Sequence, residues 1–355
     1  MRADLALVGF GNVGRRFATL IDERRERLRA QFDLDVRIAG ISTGRHGAAW
    51  NADGVDARTA VTCVEQGRSL TELHPSDVPS DSFDLIARLG RAPGELRVVV
   101  ETTVLDITAG RPAIDHVRAA IAAGCHVATA NKGPAAFAFA ELRDLAREAG
   151  VSFLFEGAVM DGIPIFNLVR ETLPAVEVLG FRGVVNATTN HILSALEDGD
   201  AFAPALARMQ QLGISEADPS LDVDGWDGAA KTAALANVLM DARMTPQLVK
   251  RTGLDAGSAE AARRAMAAGR RLRLVASATR RADGTIDATV APVELPATDV
   301  LAGLRGQANA LVLRTDLLGE IAICQLDGSL TQTAYALLSD LVTIRTRAAR
   351  LAPLR

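Results

Sequence analysis

Apolar residues alternate between short runs and helically spaced stretches over the first 155 positions, and this rhythm predicts the fold. Leu5–Gly9 is an apolar run ending in glycines, Val13–Ala30 is a helical stretch rich in Arg and Glu, and Val36–Ile41 is a second apolar run with β-branched residues. Strand, loop, helix and strand make one βαβ unit. The alternation continues. Arg97–Val100 predicts a strand ending at Glu101-Thr102-Thr103, and Ala113–Ala123 a helix stopped by Gly124. His126–Ala130 predicts a strand, Ala135–Ala149 a helix closed by Gly150, and Val151–Phe155 a further strand. The fold class expected is α/β, a Rossmann-type doubly wound parallel sheet covered by helices.

The pattern changes after Gly157. Val176–Val185 and Ile286–Leu295 read as strands of a sheet with one exposed face, and Ala308–Thr315 with Ile321–Gln325 as a hairpin around Leu318-Gly319. Helices are predicted over Ala201–Leu212, Gly228–Met240, Ala259–Ala268 and Ala334–Arg347. The expected division is a nucleotide-binding domain at 1–152, an α+β substrate and dimerisation domain at 153–322, and a segment at 323–355 returning to the first domain.

Composition narrows the class of partner. The 355 residues are 48% hydrophobic and 23% charged, enough to build two ordinary cores. A net charge of -4 offers no reason to expect nucleic acid. Apolar stretches are too short or too interrupted to span a bilayer, and the N-terminus enters a strand without a signal sequence. Cys63, Cys125 and Cys324 lack CxxC spacing and read as reduced thiols, so a soluble cytoplasmic protein is expected.

The loop Gly9-Phe10-Gly11-Asn12-Val13-Gly14 carries the first chemistry. Gly9 permits a tight turn, Gly11 lets backbone approach a pyrophosphate, and Gly14 lets helix and strand pack closely. The helix N-terminus then presents free N–H groups to phosphate. NAD sites usually place a carboxylate after the second strand, for the ribose hydroxyl. This chain has Ile41-Ser42-Thr43-Gly44-Arg45, where Arg45 either pairs with a 2′-phosphate or is a surface loop residue. The expectation is NADP in preference to NAD.

A second cluster, Glu216 to Lys231, holds five carboxylates and one lysine. Asp-Pro and Asp-Gly mark turns, and a helix follows from about Asp227. Asp227 and Lys231, four apart, share a helix face, either as a surface ion pair or as a site for a small polar substrate.

At this point the chain resembles the homoserine dehydrogenase family. Gly213, Asp218-Pro219, Asp222, Gly225, Asp227 and Lys231 match that family's signature, with Met209 where Ala is usual. Thr129-Ala130-Asn131-Lys132, the Glu156–Pro164 segment and the Gly183–Leu193 block (with Asn186-Ala187-Thr188-Thr189-Asn190) resemble three more of its motifs. The resemblance implies reversible NAD(P)H-dependent reduction of L-aspartate 4-semialdehyde to L-homoserine, on the route to threonine and methionine. It implies Lys231 as proton donor and acceptor, Lys132 near the nicotinamide and the reacting oxygen, and Asp227 holding the hydroxyl or aldehyde end. Glu216 would bind the substrate ammonium and Thr102 would touch the nicotinamide. It further implies a sodium ion at Glu156, Val159, Asp161 and Ile163, mostly through carbonyl oxygens, and a homodimer formed through the substrate domain. The chemistry suits these residue types. Hydride addition leaves an alkoxide, which a nearby cation must stabilise and protonate. An ordinary lysine titrates near 10.4, and burial with a second ammonium lowers that value.

Two departures stand out. His191 replaces the family's usual Tyr, and Asp327-Gly328-Ser329-Leu330-Thr331-Gln332 replaces a glycine-rich loop. The chain stops soon afterwards, so a regulatory ACT domain is not expected. The altered loop keeps a related enzyme acting on another small hydroxy or amino acid open as an alternative. A catalytically silent NAD(P)-binding protein is the rival from another class, opposed by Lys132, Glu216, Asp227 and Lys231 occurring together.

Overall fold

The structure, a computed structural model, describes residues 1–211 and 219–351. It divides into two compact units. The first comprises Met1–Pro134, Ala138–Pro164 and Ser329–Arg355, and the second Ala135–Phe137 and Ile165–Gly328.

The first unit begins β1 (Arg2–Val8), α1 (Asn12–Phe32), β2 (Asp35–Thr43), β3 (Gly47–Trp50), α2 (Ala57–Glu65), α3 (Ser82–Leu89) and β4 (Leu96–Glu101). It continues through α4 (Ala113–Ala122), β5 (His126–Thr129), the start of α5 (Lys132–Phe137, whose residues Ala135–Phe137 belong to the second unit), α6 (Phe139–Glu148) and β6 (Phe153–Leu154). The sheet order is β3-β2-β1-β4-β5-β6, parallel except for β3, which folds back on β2 as a hairpin. β1 is buried from Ala3 to Val8, as a central strand covered on both faces must be. Helix α1 runs two residues past the predicted end and stops at Asp33, whose left-handed backbone (φ 47) returns its N–H to Arg29 O and Leu28 O.

The helix predicted over Ala135–Ala149 is two helices. The Asn131 side chain accepts a hydrogen bond from Gly133 N, so α5 begins at Lys132, and Pro134 fits inside its first turn. Ala138 (φ -138, ψ 19) leaves the helical region and restarts the chain as α6.

In the second unit, α7 (Ile165–Asn167), β7 (Val178–Val184), α8 (Ala187–Glu197), α9 (Phe202–Gln211), α10 (Ser220–Val223), α11 (Trp226–Met240) and β8 (Lys250–Arg251) precede a helix and four strands. These are α12 (Ser258–Ala267), β9 (Arg270–Arg280), β10 (Ile286–Pro296), β11 (Asn309–Thr315) and β12 (Glu320–Gln325). The sheet order is β12-β11-β7-β9-β10-β8, antiparallel apart from the β8–β10 pair. Its buried cluster includes Val184, Val275, Leu301, Ala310 and Val312.

The chain then forms α13 (Leu330–Leu351), four residues longer at its start than predicted. Gln332 explains the early start: its side-chain oxygen accepts from Ser329 N at 2.8 Å while its own N–H donates to Ser329 O at 3.0 Å. Ala334, Leu337, Leu341 and Ile344 of α13 enter the apolar core of the first unit beside Leu5, Leu7 and Phe17. Among the described residues no helix is long and apolar enough to cross a membrane.

Candidate active site

The glycine loop of the first unit is shaped by close backbone contacts. Gly9 has φ +92, and a Cβ there would lie 2.6 Å from the Thr102 carbonyl carbon. Its N–H donates to Ser42 O at 2.9 Å, which ties the loop to the end of β2. A Cβ on Gly14 would lie 2.7 Å from Gly9 O, so only glycine lets α1 come this near the strand. Gly11 caps α1 with no side-chain hydrogen bond, no acidic residue occupies the first turn, and none of the described residues stands within 4 Å of where its Cβ would be. This is an open helix N-terminus suited to pyrophosphate. Phe10 is buried, Val13 packs against the core, and Asn12 accepts from Arg15 Nη2 at 2.8 Å. Thr102 braces the loop, its N–H donating to Val8 O at 2.8 Å and its hydroxyl to Gly9 O at 2.9 Å.

Arg45 lies at the exposed tip of the β2–β3 hairpin, three residues beyond Ser42. Lys132 opens α5 and is half-buried. Glu156, Val159 and Ile163 are buried in the turn after β6, where Asp161 adopts a left-handed φ of 49. Glu156 N donates to Asp340 Oδ2 at 2.9 Å, and Asp161 Oδ1 accepts from the Thr333 hydroxyl at 2.9 Å. Among the described residues no group of three or more His, Cys, Asp or Glu side chains is placed to hold a metal ion.

The polar cluster of the second unit forms where β7 hands over to α8. Asn186 caps α8, its side-chain oxygen accepting from Thr189 N at 2.8 Å. Its side-chain amide nitrogen donates twice, to Asp222 Oδ1 at 2.7 Å and to Asp227 Oδ2 at 2.8 Å. Asp227 Oδ2 is 3.0 Å from Lys231 Nζ, which donates to Val185 O at 2.5 Å. Both side chains of this ion pair are only 15% exposed, so it is not a solvated surface pair. Gly225 (φ +81) turns the chain into α11, and Gly228 allows the helix against Val290. The Arg251 guanidinium lies 3.7 Å over the Trp226 ring and donates to Asp224 O, clamping the approach to Asp227. Glu216, Gly213 and Asp218 lie outside the described residues.

Two members of this cluster have no role in the sequence reading. Asp222 stands in the signature and Asn186 in the Gly183–Leu193 block, but 36 residues separate them. The pattern Asn-x-x-Thr at a strand end signals a helix cap; the second use of its amide depends on tertiary folding. His191 lies on α8 against Gly306, its buried Nε2 without a hydrogen-bond partner among the described residues, and burial lowers its pKa.

Burial, then the Asp227 charge, push the Asp222 carboxyl above its ordinary value. A raised folded pKa contributes stability that is complete below the unfolded value, about 3.9, and is lost as pH rises through the folded one. Asp222→Asn keeps an oxygen for Asn186 and removes the charge. The variant is expected to be at least as stable as wild type at neutral pH, with the advantage vanishing in acid. Urea midpoints across pH check this; a stability deficit that grows with pH contradicts it.

A glycine-loop Rossmann unit joined in one chain to a carboxylate–lysine cluster on a mixed sheet defines a nicotinamide-dependent oxidoreductase. The comparisons make the family specific. Residues 164–342 match the homoserine dehydrogenase model, and residues 9–156 the model of the homoserine dehydrogenase NAD-binding domain. The NAD(+)-dependent homoserine dehydrogenase of Pseudomonas canavaninivorans is 36% identical over 346 residues, covering 98% of this chain and 97% of its own. The homoserine dehydrogenase of Methanocaldococcus jannaschii is 33% identical, covering 96% of this chain and 98% of its own. A hyperthermophilic archaeal homoserine dehydrogenase solved in complex with NADPH superposes with a TM-score of 0.79 at 27% identity, covering 98% of each chain. The chain belongs to the homoserine dehydrogenase family.

Proposed function

We propose that this chain interconverts L-aspartate 4-semialdehyde and L-homoserine in amino-acid biosynthesis. The observation that carries the reading is the half-buried Asn186–Asp222–Asp227–Lys231 cluster in a chain of this family. A nicotinamide dinucleotide held at Gly9, Gly11 and Gly14 would supply the hydride chemistry. Lys231 Nζ donates a proton to the aldehyde oxygen as the carbonyl π electrons move onto it, so an alcohol leaves and a neutral amine remains for solvent to reprotonate. In oxidation the same nitrogen accepts the hydroxyl proton. Asp227 and Val185 O fix that nitrogen in place, while Asp222 and Asp227 offer acceptors for the substrate's hydroxyl or ammonium. Lys132 supplies a second positive charge toward the reacting oxygen and the nicotinamide, Thr102 braces the loop beneath the cofactor, and Glu216 accepts from the substrate ammonium.

NADP is the preferred cofactor in this reading. No carboxylate stands between Ile41 and Arg45 to repel a 2′-phosphate, and the Gly9–Ser42 hydrogen bond brings the base of the Arg45 hairpin beside the loop. Purified protein given homoserine with NADP⁺ or NAD⁺ tests both points. Reduced cofactor should form, faster with NADP⁺. Arg45→Glu should shift the kcat/KM ratio toward NAD⁺ by about tenfold or more, the scale of one charge-assisted hydrogen bond. Absence of reduced cofactor would remove the substrate assignment, and a wild-type preference for NAD⁺ would remove Arg45 from the site.

The turn holding Glu156, Val159, Asp161 and Ile163 fits a monovalent cation such as sodium. Its carboxylate is buried and the left-handed Asp161 reverses the backbone. Such an ion would be held largely by carbonyl oxygens and would stiffen the turn. The same reading includes a homodimer formed through the second unit; light scattering showing a monomer would remove that element.

A further inference from the structure

Glu101 ends β4 fully buried, and three donors converge on its carboxylate. Oε1 accepts from Thr103 N at 2.9 Å and from the Thr103 hydroxyl. Oε2 accepts from the Thr129 hydroxyl at 2.8 Å. Thr129 Oγ1 in turn accepts from Asn131 N at 2.9 Å. The Asn131 side-chain amide closes the circuit by donating to Thr103 O at 2.9 Å, and its oxygen accepts from Gly133 N at 2.8 Å. Glu101, Thr103, Asn131 and Thr129 therefore form one ring of hydrogen bonds joining the ends of β4 and β5. Glu101 and Thr129 are wholly buried and Asn131 nearly so. Beyond the ring, His116 Nδ1 stands 3.9 Å from Glu101 Oε1, past hydrogen-bond length, while its Nε2 meets the Ser82 hydroxyl at 2.9 Å.

The ring has one mechanical output. Asn131 is the cap of α5, and the first residue of α5 is Lys132. Whatever holds Asn131 sets where Lys132 leaves the backbone and in which direction. The cofactor loop is held by hydrogen bonds outside the ring, from Thr102 to Val8 O and Gly9 O. We propose that Glu101 is a positioning residue for the reaction, acting through Thr129 and Asn131 to fix Lys132, independently of dinucleotide binding. This rests on the role given to Lys132 above.

The chemistry of the ring selects the variants. Glu101→Gln puts one donor group where three donors already point, so at least one link fails. Thr129→Val keeps the shape of Thr129 and removes its hydroxyl. Thr129→Ser keeps the hydroxyl. With homoserine and NADP⁺, Glu101→Gln and Thr129→Val are expected to lose kcat by about 10- to 100-fold, the cost of misplacing a catalytic group by a fraction of an ångström. Dinucleotide Kd, from quenching of intrinsic fluorescence, should stay near wild type, and Thr129→Ser should recover most of the turnover. The double variant should be no worse than the poorer single one. Amide exchange at Asn131 and Gly133 should accelerate in Thr129→Val and not in Thr129→Ser. Unchanged kcat in folded Glu101→Gln and Thr129→Val overturns the proposal, as does a Kd that rises in step with the fall in kcat. If Glu101→Gln does not fold, the Thr129 pair decides. If wild type itself turns over no homoserine, the function reading has failed, and the exchange measurement still decides whether the ring fixes the α5 start.

Discussion

Lys231→Met is expected to reduce homoserine oxidation by about 10²- to 10⁴-fold, the usual contribution of a positioned general acid–base group. Dinucleotide affinity should hardly change, because the glycine loop lies in the other unit. Lys231 Nζ is fixed by its contacts. It meets Asp227 at 3.0 Å and Val185 O at 2.5 Å, and Asn186 holds Asp227 from the other side. A nitrogen so held reaches a substrate oxygen without first ordering a long flexible side chain. Methionine fills a similar volume without the charge, so the Asp227 carboxylate loses its lysine while Asn186 still donates to it. Some stability is therefore lost with the activity, and Lys231→Arg separates the two effects. Arginine keeps a cation for Asp227, but its guanidinium stays protonated well beyond the neutral range, so it exchanges no proton there. It should melt close to wild type and still turn over poorly. Turnover of Lys231→Arg near the wild-type rate would show that charge alone is needed at this position, and turnover of Lys231→Met near that rate would remove Lys231 from the chemistry.

The parts of this molecule that were legible in the sequence are those where a backbone requirement admits few residue types. Gly9 and Gly14 are such positions, since any Cβ would strike backbone at 2.6 to 2.7 Å. The parallel strands β1, β4 and β5 also read correctly, because strands buried on both faces are continuous apolar runs. Tertiary contact hid the rest. Asn186 bridges Asp222 and Asp227 across 36 and 41 residues, and no local spacing encodes that. The break between α5 and α6 falls at Ala138, a strong helix former, and no local residue preference marks it. The hairpin strand β3 interrupts the expected parallel order for a similar reason: Gly47–Trp50 is four residues long and is defined by its ladder with β2.

The sequence also gives no sign of β9, Arg270–Arg280, which pairs with both β7 and β10 in the second sheet. Its opening residues, Arg270, Arg271 and Arg273, argue for solvent, yet Arg273 is wholly buried. Its partner is Glu197 at the end of α8, at 2.7 Å, and its other nitrogen donates to Ala302 O at 2.7 Å. Both charged side chains have 1% exposure or less, so each depends on the other for solvation. Glu197→Ala is therefore expected to cost about 3–5 kcal/mol, the range for removing one partner of a buried pair. Arg271 and Arg305, 3.9 and 3.8 Å from the same carboxylate, add to the positive charge left uncompensated. The effect should reach the substrate cluster, because α8 runs from Asn186, which holds Asp222 and Asp227, to Glu197. Glu197→Ala should thus lower the urea midpoint and raise the KM for homoserine, with dinucleotide Kd unaffected. Replacing both partners, Glu197→Leu with Arg273→Met, removes the orphan charge and should restore most of the stability. A cost below about 1 kcal/mol in Glu197→Ala would place this pair among exposed ones and would mean that water reaches Arg273 in solution.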